Sequence, residues 1–334
     1  MTDGLPIIPP TEELVTAMLQ YTDRDPDEEI GKIAPKFFPA TLAKIAVNAV
    51  MAGCLPEYFP IVLTALEAMV EERFNLYAVQ ATTHPCAPLV IVNGPLAREL
   101  EINSGYNVFG QGWRANATIG RAIRFALMNI GGGIPGKGDK ATQGHPGKFT
   151  FCIAENEVRT PWEPLHVERG FDSEISTVTV TSGEAPHNIN DHGSTSALGI
   201  LTTVAGTMAI VGSNNAGGGG EPLLVFGPEH AETVARDGFS KKDVKEFLFE
   251  HARNPISKFA SENVKRFFEA NSDATPDTLR PIVAKADDLI VIVAGGAGKH
   301  SCWLPTFGGS TLSVTKVIAK KDGTPVKSVK DFQL

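Results

Sequence analysis

The stretch 88-PLVIVNGPLAREL-100 joins an apolar run, a Gly-Pro corner and the start of a helical pattern, and 222-PLLVFGPEHAETV-234 repeats that order. Short apolar runs bounded by Gly and Pro are typical of buried strands. Pro at the first helical position is typical of a helix start. A third apolar run, 289-LIVIVAG-295, ends in a Gly-rich turn. This alternation predicts an α/β fold with mixed or mostly parallel sheets and flanking helices.

The repeated corner also suggests two pseudo-equivalent halves with a site between them. The alternative is that any two strand-to-helix corners of an α/β protein look this similar. We divide the chain into an N-terminal arm and helix (1–40), a first α/β half (41–185) and a second α/β half (186–334), packed as one compact unit.

Periodicity and capping signals place the individual elements. The predicted helices cover 11–19, 41–52, 56–72, 117–130, 194–211, 229–237, 240–253 and 257–270. The predicted strands cover 76–82, 88–94, 149–155, 176–182, 222–226, 289–295 and 311–319.

The composition argues against several classes of protein. A net charge of -8 argues against a nucleic-acid binder, which is usually basic. The N-terminus lacks a basic and apolar signal pattern, and no apolar run is long enough to span a membrane. Four widely spaced cysteines without a CxxC pair indicate reduced thiols. We therefore expect a soluble cytoplasmic protein that acts on a small molecule, without nucleic-acid or membrane partners, and as a homo-oligomer.

The segment 47-VNAVMAGCLPEYFPIVLTALEAMV-70 places Cys54 and Glu57 at the mouth of a predicted helix. A helix N-terminus lowers the pKa of a thiol and favours the nucleophilic thiolate. Glu57 would then act as an acid or base, and His84 in 82-TTHPCAP-88 as the general base. The alternatives are a buried packing cysteine and a surface turn histidine.

The Gly-rich loop 103-NSGYNVFGQGWRAN-116 is dense in amides. We assign Asn107, Arg114 and Asn116 to substrate binding, with Asn116 as the cap of the following helix and Arg114 beside a free helix N-terminus that attracts anions. His145, in a lysine-bearing loop, is a further substrate-binding candidate on a mobile lid; the alternative is a solvated loop. The spacing matches neither the dinucleotide-binding nor the phosphate-loop motif, so no cofactor is evident.

A second polar loop, 184-EAPHNINDHGSTS-196, precedes a predicted helix. Asn188 is assigned to substrate binding. His187 and His192 are metal-ligand candidates whose spacing differs from that of HExxH, and a divalent metal is the alternative.

The segment 293-VAGGAGKHSCWLP-305 follows a predicted strand, where ligands of α/β sheets bind. Backbone N–H groups near Gly296 would form an oxyanion nest, Ser301 would contact the substrate, and His300 would be a second base. The alternative is a tight turn that has only a structural role. Glu155 also stands at a strand terminus, without an assigned role.

Several blocks together resemble the UGSC-type (seleno)protein family of obscure function: 3-DGLPIIPPTEE-13, 46-AVNAVMAGCLPEYFP-60, 145-HPGKFTFCIAENE-157, 225-VFGPEHA-231 and 294-AGGAGKHS-301. The resemblance covers most of the chain. It implies a soluble bacterial enzyme that acts on a small organic acid or xenobiotic. The Sec/Cys-Gly-Ser-Cys segment that names the family is absent here, so the resemblance supplies no redox site and no residue roles.

These observations together predict an enzyme that acts on a small polar or anionic organic substrate by addition–elimination or hydrolysis, as a lyase, hydratase or hydrolase. A cysteine–histidine–carboxylate site and the Asn/Arg/Gly-rich loop would carry the reaction. One alternative is a metal-dependent enzyme with histidine ligands. The other is a non-catalytic protein that binds a soft metal or a partner through its thiols.

Overall fold

The computed structural model describes residues 1–332, apart from the side chain of residue 266. The elements up to residue 190 are α1 (Glu12–Leu19), β1 (Glu29–Ile33), β2 (Phe38–Thr41), α2 (Leu42–Ala52), α3 (Phe59–Met69), α4 (Leu76–Ala81), β3 (Ala87–Asn93), α5 (Pro95–Glu99), α6 (Arg114–Asn129), β4 (Cys152–Ala154), α7 (Leu165–Glu168), β5 (Thr177–Gly183) and β6 (His187–Asn190). The later elements are α8 (Ala197–Met208), β7 (Leu223–Phe226), α9 (Pro228–Arg236), α10 (Lys241–His251), β8 (Arg253–Pro255), α11 (Ser261–Ala270), β9 (Leu279–Pro281), β10 (Ile290–Val293), β11 (His300–Leu304) and β12 (Val314–Val317).

Two four-stranded sheets have the same topology. The first sheet has the order β4-β3-β5-β12 and the second the order β10-β7-β11-β6. In each sheet the first pair is parallel, and the other two pairs are antiparallel. The predicted α/β fold with mixed sheets is confirmed, and the two halves correspond strand for strand.

The chain crosses between the two sheets twice. After β5 in the first sheet, the chain enters the second sheet as β6, and after β11 in the second sheet it returns to the first sheet as β12. The two crossings are joined by hydrogen bonds from Glu184 N to Pro305 O (2.8 Å) and from Phe307 N to Ser182 O (3.2 Å). A single cut at residue 185 therefore does not separate the two sheets.

The core lies in three layers between four layers of secondary structure. The alternating side chains of β3 face two ways: Val90 and Val92 pack against helices α2, α3 and α6, whereas Leu89 and Ile91 pack against Val225 and other residues of the second sheet. Helices α8, α9 and α10 cover the outer face of the second sheet. Because both faces of β3 are covered, its sequence is a continuous apolar run.

Several elements differ from the sequence-based prediction: strands β1, β2, β8 and β9 and helix α7 were not predicted, and three segments were assigned the wrong structure. The predicted strand 76–82 is wrong, since this segment forms helix α4, whose start is capped by the Asn75 side chain accepting from Ala78 N at 3.3 Å. Strands β6 and β11 were expected as loop and turn, because their polar residues do not follow the alternating pattern of a strand.

Along the described chain, no helix is both long enough and apolar enough to cross a lipid bilayer.

Candidate functional site

Two clefts open at the carboxyl ends of the parallel pairs β3–β4 and β7–β10, where ligands of α/β proteins usually bind. The histidine cleft has a volume of about 520 Å³ and includes the glycine turn after β10 and the start of β11. The glutamate cleft has a volume of about 370 Å³ and follows β3 and β4. Hydrogen bonds from Asn156 N to Val293 O (2.7 Å) and from Gly295 N to Ser104 O (2.9 Å) join their walls.

The histidine cleft brings together five of the residues predicted from the sequence: Asn107, Asn188, Gly296, His300 and Ser301. They come from three separate parts of the chain: the loop before α6, strand β6, and the β10–β11 turn with β11. Asn107 adopts a left-handed φ of 58° and its side chain donates to Gln111 O at 2.8 Å, which closes the loop on itself.

His300 has a defined hydrogen-bonding arrangement at this cleft. Its Nδ1 lies 2.9 Å from Asn188 Oδ1, and its Nε2 lies 3.0 Å from His192 Nε2. Because a carboxamide oxygen only accepts, Nδ1 of His300 carries the proton and Nε2 presents a lone pair. His192 Nε2 then donates to that lone pair. These two contacts fix the tautomer of His300, whose Nε2 accepts from His192, and both imidazole rings are exposed.

The glycine turn beside His300 lines the cleft. Gly295 and Gly298 have φ values of 114° and 134°, which favour glycine. A Cβ at Gly296 would meet the ring of Tyr106 at 1.9 Å, so a larger residue would force this exposed ring to move. Within residues 1–332, no acceptor pairs with the N–H groups of residues 296–298. These groups fit the nest predicted from the sequence.

Ser301 is tied to a buried histidine that the sequence analysis missed. Its Oγ lies 2.8 Å from His230 Nδ1 and accepts from Gly227 N at 3.1 Å. His230 Nε2 lies 3.1 Å from Asp191 O, and burial lowers the pKa of His230. Nε2 therefore carries the proton and Ser301 donates to Nδ1. With these partners satisfied, the Ser301 hydroxyl anchors β11 to α9 beneath the cleft.

An apolar cleft of about 390 Å³ adjoins the histidine cleft and contains Asn116 and His145. Asn116 does not cap α6: it is buried inside that helix, where it accepts from Asn103 N (2.7 Å) and donates to Cys152 O (3.1 Å). It thereby fixes the polar loop to the end of β4. His145 Nδ1 accepts from Gly147 N at 3.1 Å, and burial lowers the pKa of His145.

Cys54 is not an activated thiol. It is buried beside Thr118 of α6, and burial raises its pKa to about 12. The expected lowering of this pKa is wrong because the segment after Cys54 starts with the three-residue 3₁₀ turn Pro56–Tyr58, which has little dipole, and because the thiol faces the core. Glu57 lies half-buried in that turn.

Arg114 and His84 have other partners than those expected. The guanidinium of Arg114 donates to Gly53 O at 3.1 and 3.0 Å, so it caps the end of α2 and is not a free anion-binding group. His84 Nε2 lies 2.7 Å from Glu184 Oε1, and its ring packs edge-on against Phe307. The structure thus places His84 beside the two segments in which the chain crosses between the sheets, and not beside Cys54.

The glutamate cleft contains a residue to which the sequence analysis gave no role. Glu155 Oε2 accepts from Asn93 Nδ2 (2.7 Å) and Leu165 N (2.8 Å), while Oε1 has no partner among residues 1–332. Burial raises the pKa of Glu155 to about 7. Glu157 accepts from Gly94 N at 2.6 Å and from Arg98 at 3.0 Å. The position of Glu155 at a strand terminus was the only sequence signal for this site.

The metal and thiol candidates are dispersed. In the described part of the chain, no three or more His, Cys, Asp or Glu side chains are grouped so that they could hold a metal ion. His187 is exposed on β6, opposite Trp303 of β11. Three of the four cysteines are buried, and burial raises the pKa of half-buried Cys302 to about 12.

Comparisons with known proteins identify no relative: no family model matches the chain, and no curated protein is significantly similar to it. The resemblance to the UGSC-type family therefore stays a prediction.

Proposed function

We propose that the protein is an enzyme that acts on a small polar or anionic organic substrate by hydrolysis or addition–elimination, with the histidine cleft as its active site. The observation that carries the proposal is the hydrogen-bonded series Asn188–His300–His192, of which Asn188 and His300 line a cleft with unpaired backbone N–H groups. A histidine held in one tautomer by an acceptor on its other nitrogen is the usual form of a general base.

The charge of the cleft supports an anionic or polar substrate. Its lining residues include no Asp or Glu. Lys299, whose Nζ lies 3.2 Å from His192 O, adds a positive charge at the rim. The N–H groups of residues 296–298 would stabilise an oxyanion or enolate that forms during the reaction.

In this proposal His300 Nε2 takes a proton from water, for hydrolysis, or from a carbon next to a carbonyl, for elimination. Substrate entry displaces the exposed His192 ring from Nε2. The protonated His300 then returns the proton to the leaving group, so one residue acts first as base and then as acid. Asn188 is a positioning residue, because it acts through His300.

The test is turnover of a panel of p-nitrophenyl esters and β-hydroxy acids by the wild type and by His300→Gln, Asn188→Ala and His187→Ala. His300→Gln should lower kcat by a factor of about 10² to 10⁴, and Asn188→Ala should lower it less. His187→Ala is the matched control, since it removes a histidine from the same strand pair without removing a described hydrogen bond, and should keep full activity. Undiminished activity of His300→Gln, or no turnover of any panel member by the wild type, would refute the proposal.

The earlier expectation of a cysteine nucleophile is not part of this proposal, because Cys54 is buried and protonated. A cytoplasmic location and a homo-oligomeric state are retained as proposals; light scattering of the purified protein tests the second.

A further inference from the structure

The histidine cleft continues into the apolar cleft. Both are lined by residues 108–110, and Phe109 packs on Phe151 with ring centroids 6.0 Å apart. Gly110 is exposed at the rim that the two clefts share. The polypeptide also links them directly, because Pro186 lines the apolar cleft and Asn188, two residues later, lines the histidine cleft. At the rise of an extended strand, these two residues lie about 7 Å apart.

The apolar cleft has the properties of a site for a hydrocarbon group. Carbon-rich side chains form most of its walls, among them Phe109, Phe151, Pro146 and Pro186. Two of its polar residues have internal partners: Asn116 bonds the backbone of Asn103 and Cys152, and Thr150 Oγ1 donates to Ala117 O at 2.8 Å. His145 Nε2 has no partner among residues 1–332 and leaves one polar atom at the edge of this otherwise apolar cleft. Its volume of about 390 Å³ lies in the usual range for ligand pockets.

We propose that the substrate has two parts: a carboxylate or similar polar head that binds in the histidine cleft, and an unbranched alkyl or phenyl tail that binds in the apolar cleft. This inference rests on the proposed function for the head, whereas the tail site stands on the lining of the apolar cleft. Since about 7 Å separates the two sites along the chain, acids as short as acetate end before the apolar cleft, and longer acids reach it.

The experiment measures the dissociation constants of acetate, butyrate, hexanoate, benzoate and 1-hexanol by isothermal titration calorimetry at fixed ionic strength. Affinity should rise by about fourfold per added methylene once the tail reaches the apolar cleft. The alcohol, which lacks the charged head, should bind more weakly than hexanoate but should still bind.

Ala117→Leu and Ala185→Leu each place a larger side chain on the exposed lining of the apolar cleft. Either variant should abolish the gain in affinity with increasing chain length and leave the affinity for acetate unchanged. Ala270→Leu, at the exposed end of α11, is the matched control and should keep the gain.

The outcomes separate the two proposals. The tail site would be overturned if all acids of the series bind with equal affinity. It would also be overturned if both cleft variants show the same gain in affinity with chain length as the wild type. A third outcome is possible: both cleft variants weaken the binding of hexanoate and 1-hexanol, but the wild type turns over no member of the substrate panel. That outcome would uphold the tail site and refute the proposed catalysis. Loss of the carboxylate preference in His300→Gln, with 1-hexanol binding retained, supports the assignment of head and tail.

Discussion

Replacing Glu155 with Gln should make the stability of the protein much less dependent on pH. The carboxyl group is buried, with Oε2 held by Asn93 and the backbone of Leu165 and with Oε1 unpaired among residues 1–332. Burial raises its pKa from the ordinary 4.5 to about 7, because the charged form loses its hydration; Lys241 opposes the shift and Glu157 adds to it. Glutamine keeps the shape and the accepting oxygen, but it does not titrate.

The sign and size of the effect follow from the two pKa values. A carboxyl with a raised pKa binds its proton more tightly in the folded state, so its contribution to stability is complete below pH 4.5 and is lost as the pH rises to about 7. A difference between 4.5 and about 7, at about 1.4 kcal/mol per pH unit, corresponds to about 3 kcal/mol. Relative to the variant, the wild type should therefore lose about 3 kcal/mol of unfolding free energy across this interval.

Urea unfolding followed by tryptophan fluorescence, repeated at several pH values between about 4.5 and 8, measures the difference. The two proteins should differ most above pH 7, where Glu155→Gln is the more stable. Glu101→Gln is the matched control, because Glu101 lines the same cleft but is exposed, and its profile should run parallel to that of the wild type. Parallel profiles for the wild type and Glu155→Gln would show that the buried carboxyl is ionised throughout, and the reasoning from burial would be refuted.

Gly227→Ala should destabilise the protein by several kcal/mol, since the new Cβ would meet His300 O at 2.0 Å; Gly206→Ala, with no atom within 4 Å, should be neutral or stabilising in a urea titration. Asn116→Ala should cost about 3 kcal/mol or more, because it leaves backbone groups of the loop and of β4 unpaired in the core; unchanged stability would contradict the anchoring role. In native protein, iodoacetamide should modify half-buried Cys302 before the three buried cysteines, and slowly at neutral pH because its pKa is raised to about 12. Fast modification of any thiol at neutral pH, identified by mass spectrometry, would disagree with these raised pKa values.

The sequence was sufficient to predict strands and helices whose burial is uniform. Strand β3 is apolar at nearly every position because helices cover one face and the second sheet covers the other. Strands β6 and β11 could not be recognised, since they carry histidine, asparagine and serine at positions that line a cleft or bond to a helix. Their strand conformation depends on pairing with each other and with β7, which the local pattern does not contain.

The arrangement of the candidate residues was predictable only where it depends on local sequence. The glycine turn and His300 lie within a few residues of each other, and the structure keeps them together. The pKa of Cys54 depends instead on burial against Thr118 of a distant helix, so the local argument from a helix start gave the wrong direction. His230 went unnoticed because its partner Ser301 lies 71 residues further along the chain.

The shared topology of the two sheets does not produce two equal sites. At the end of β3 and β4 the first sheet carries Glu155 and Glu157, whereas the corresponding cleft of the second sheet has no carboxylate in its lining. Asn188 of β6 reaches His300 of β11 because these two strands pair at the edge of the second sheet. The histidine cleft still depends on both halves of the chain, because residues 106–110 of the first half form one of its walls. The second half expressed alone would keep the Asn188–His300 pair and lose that wall.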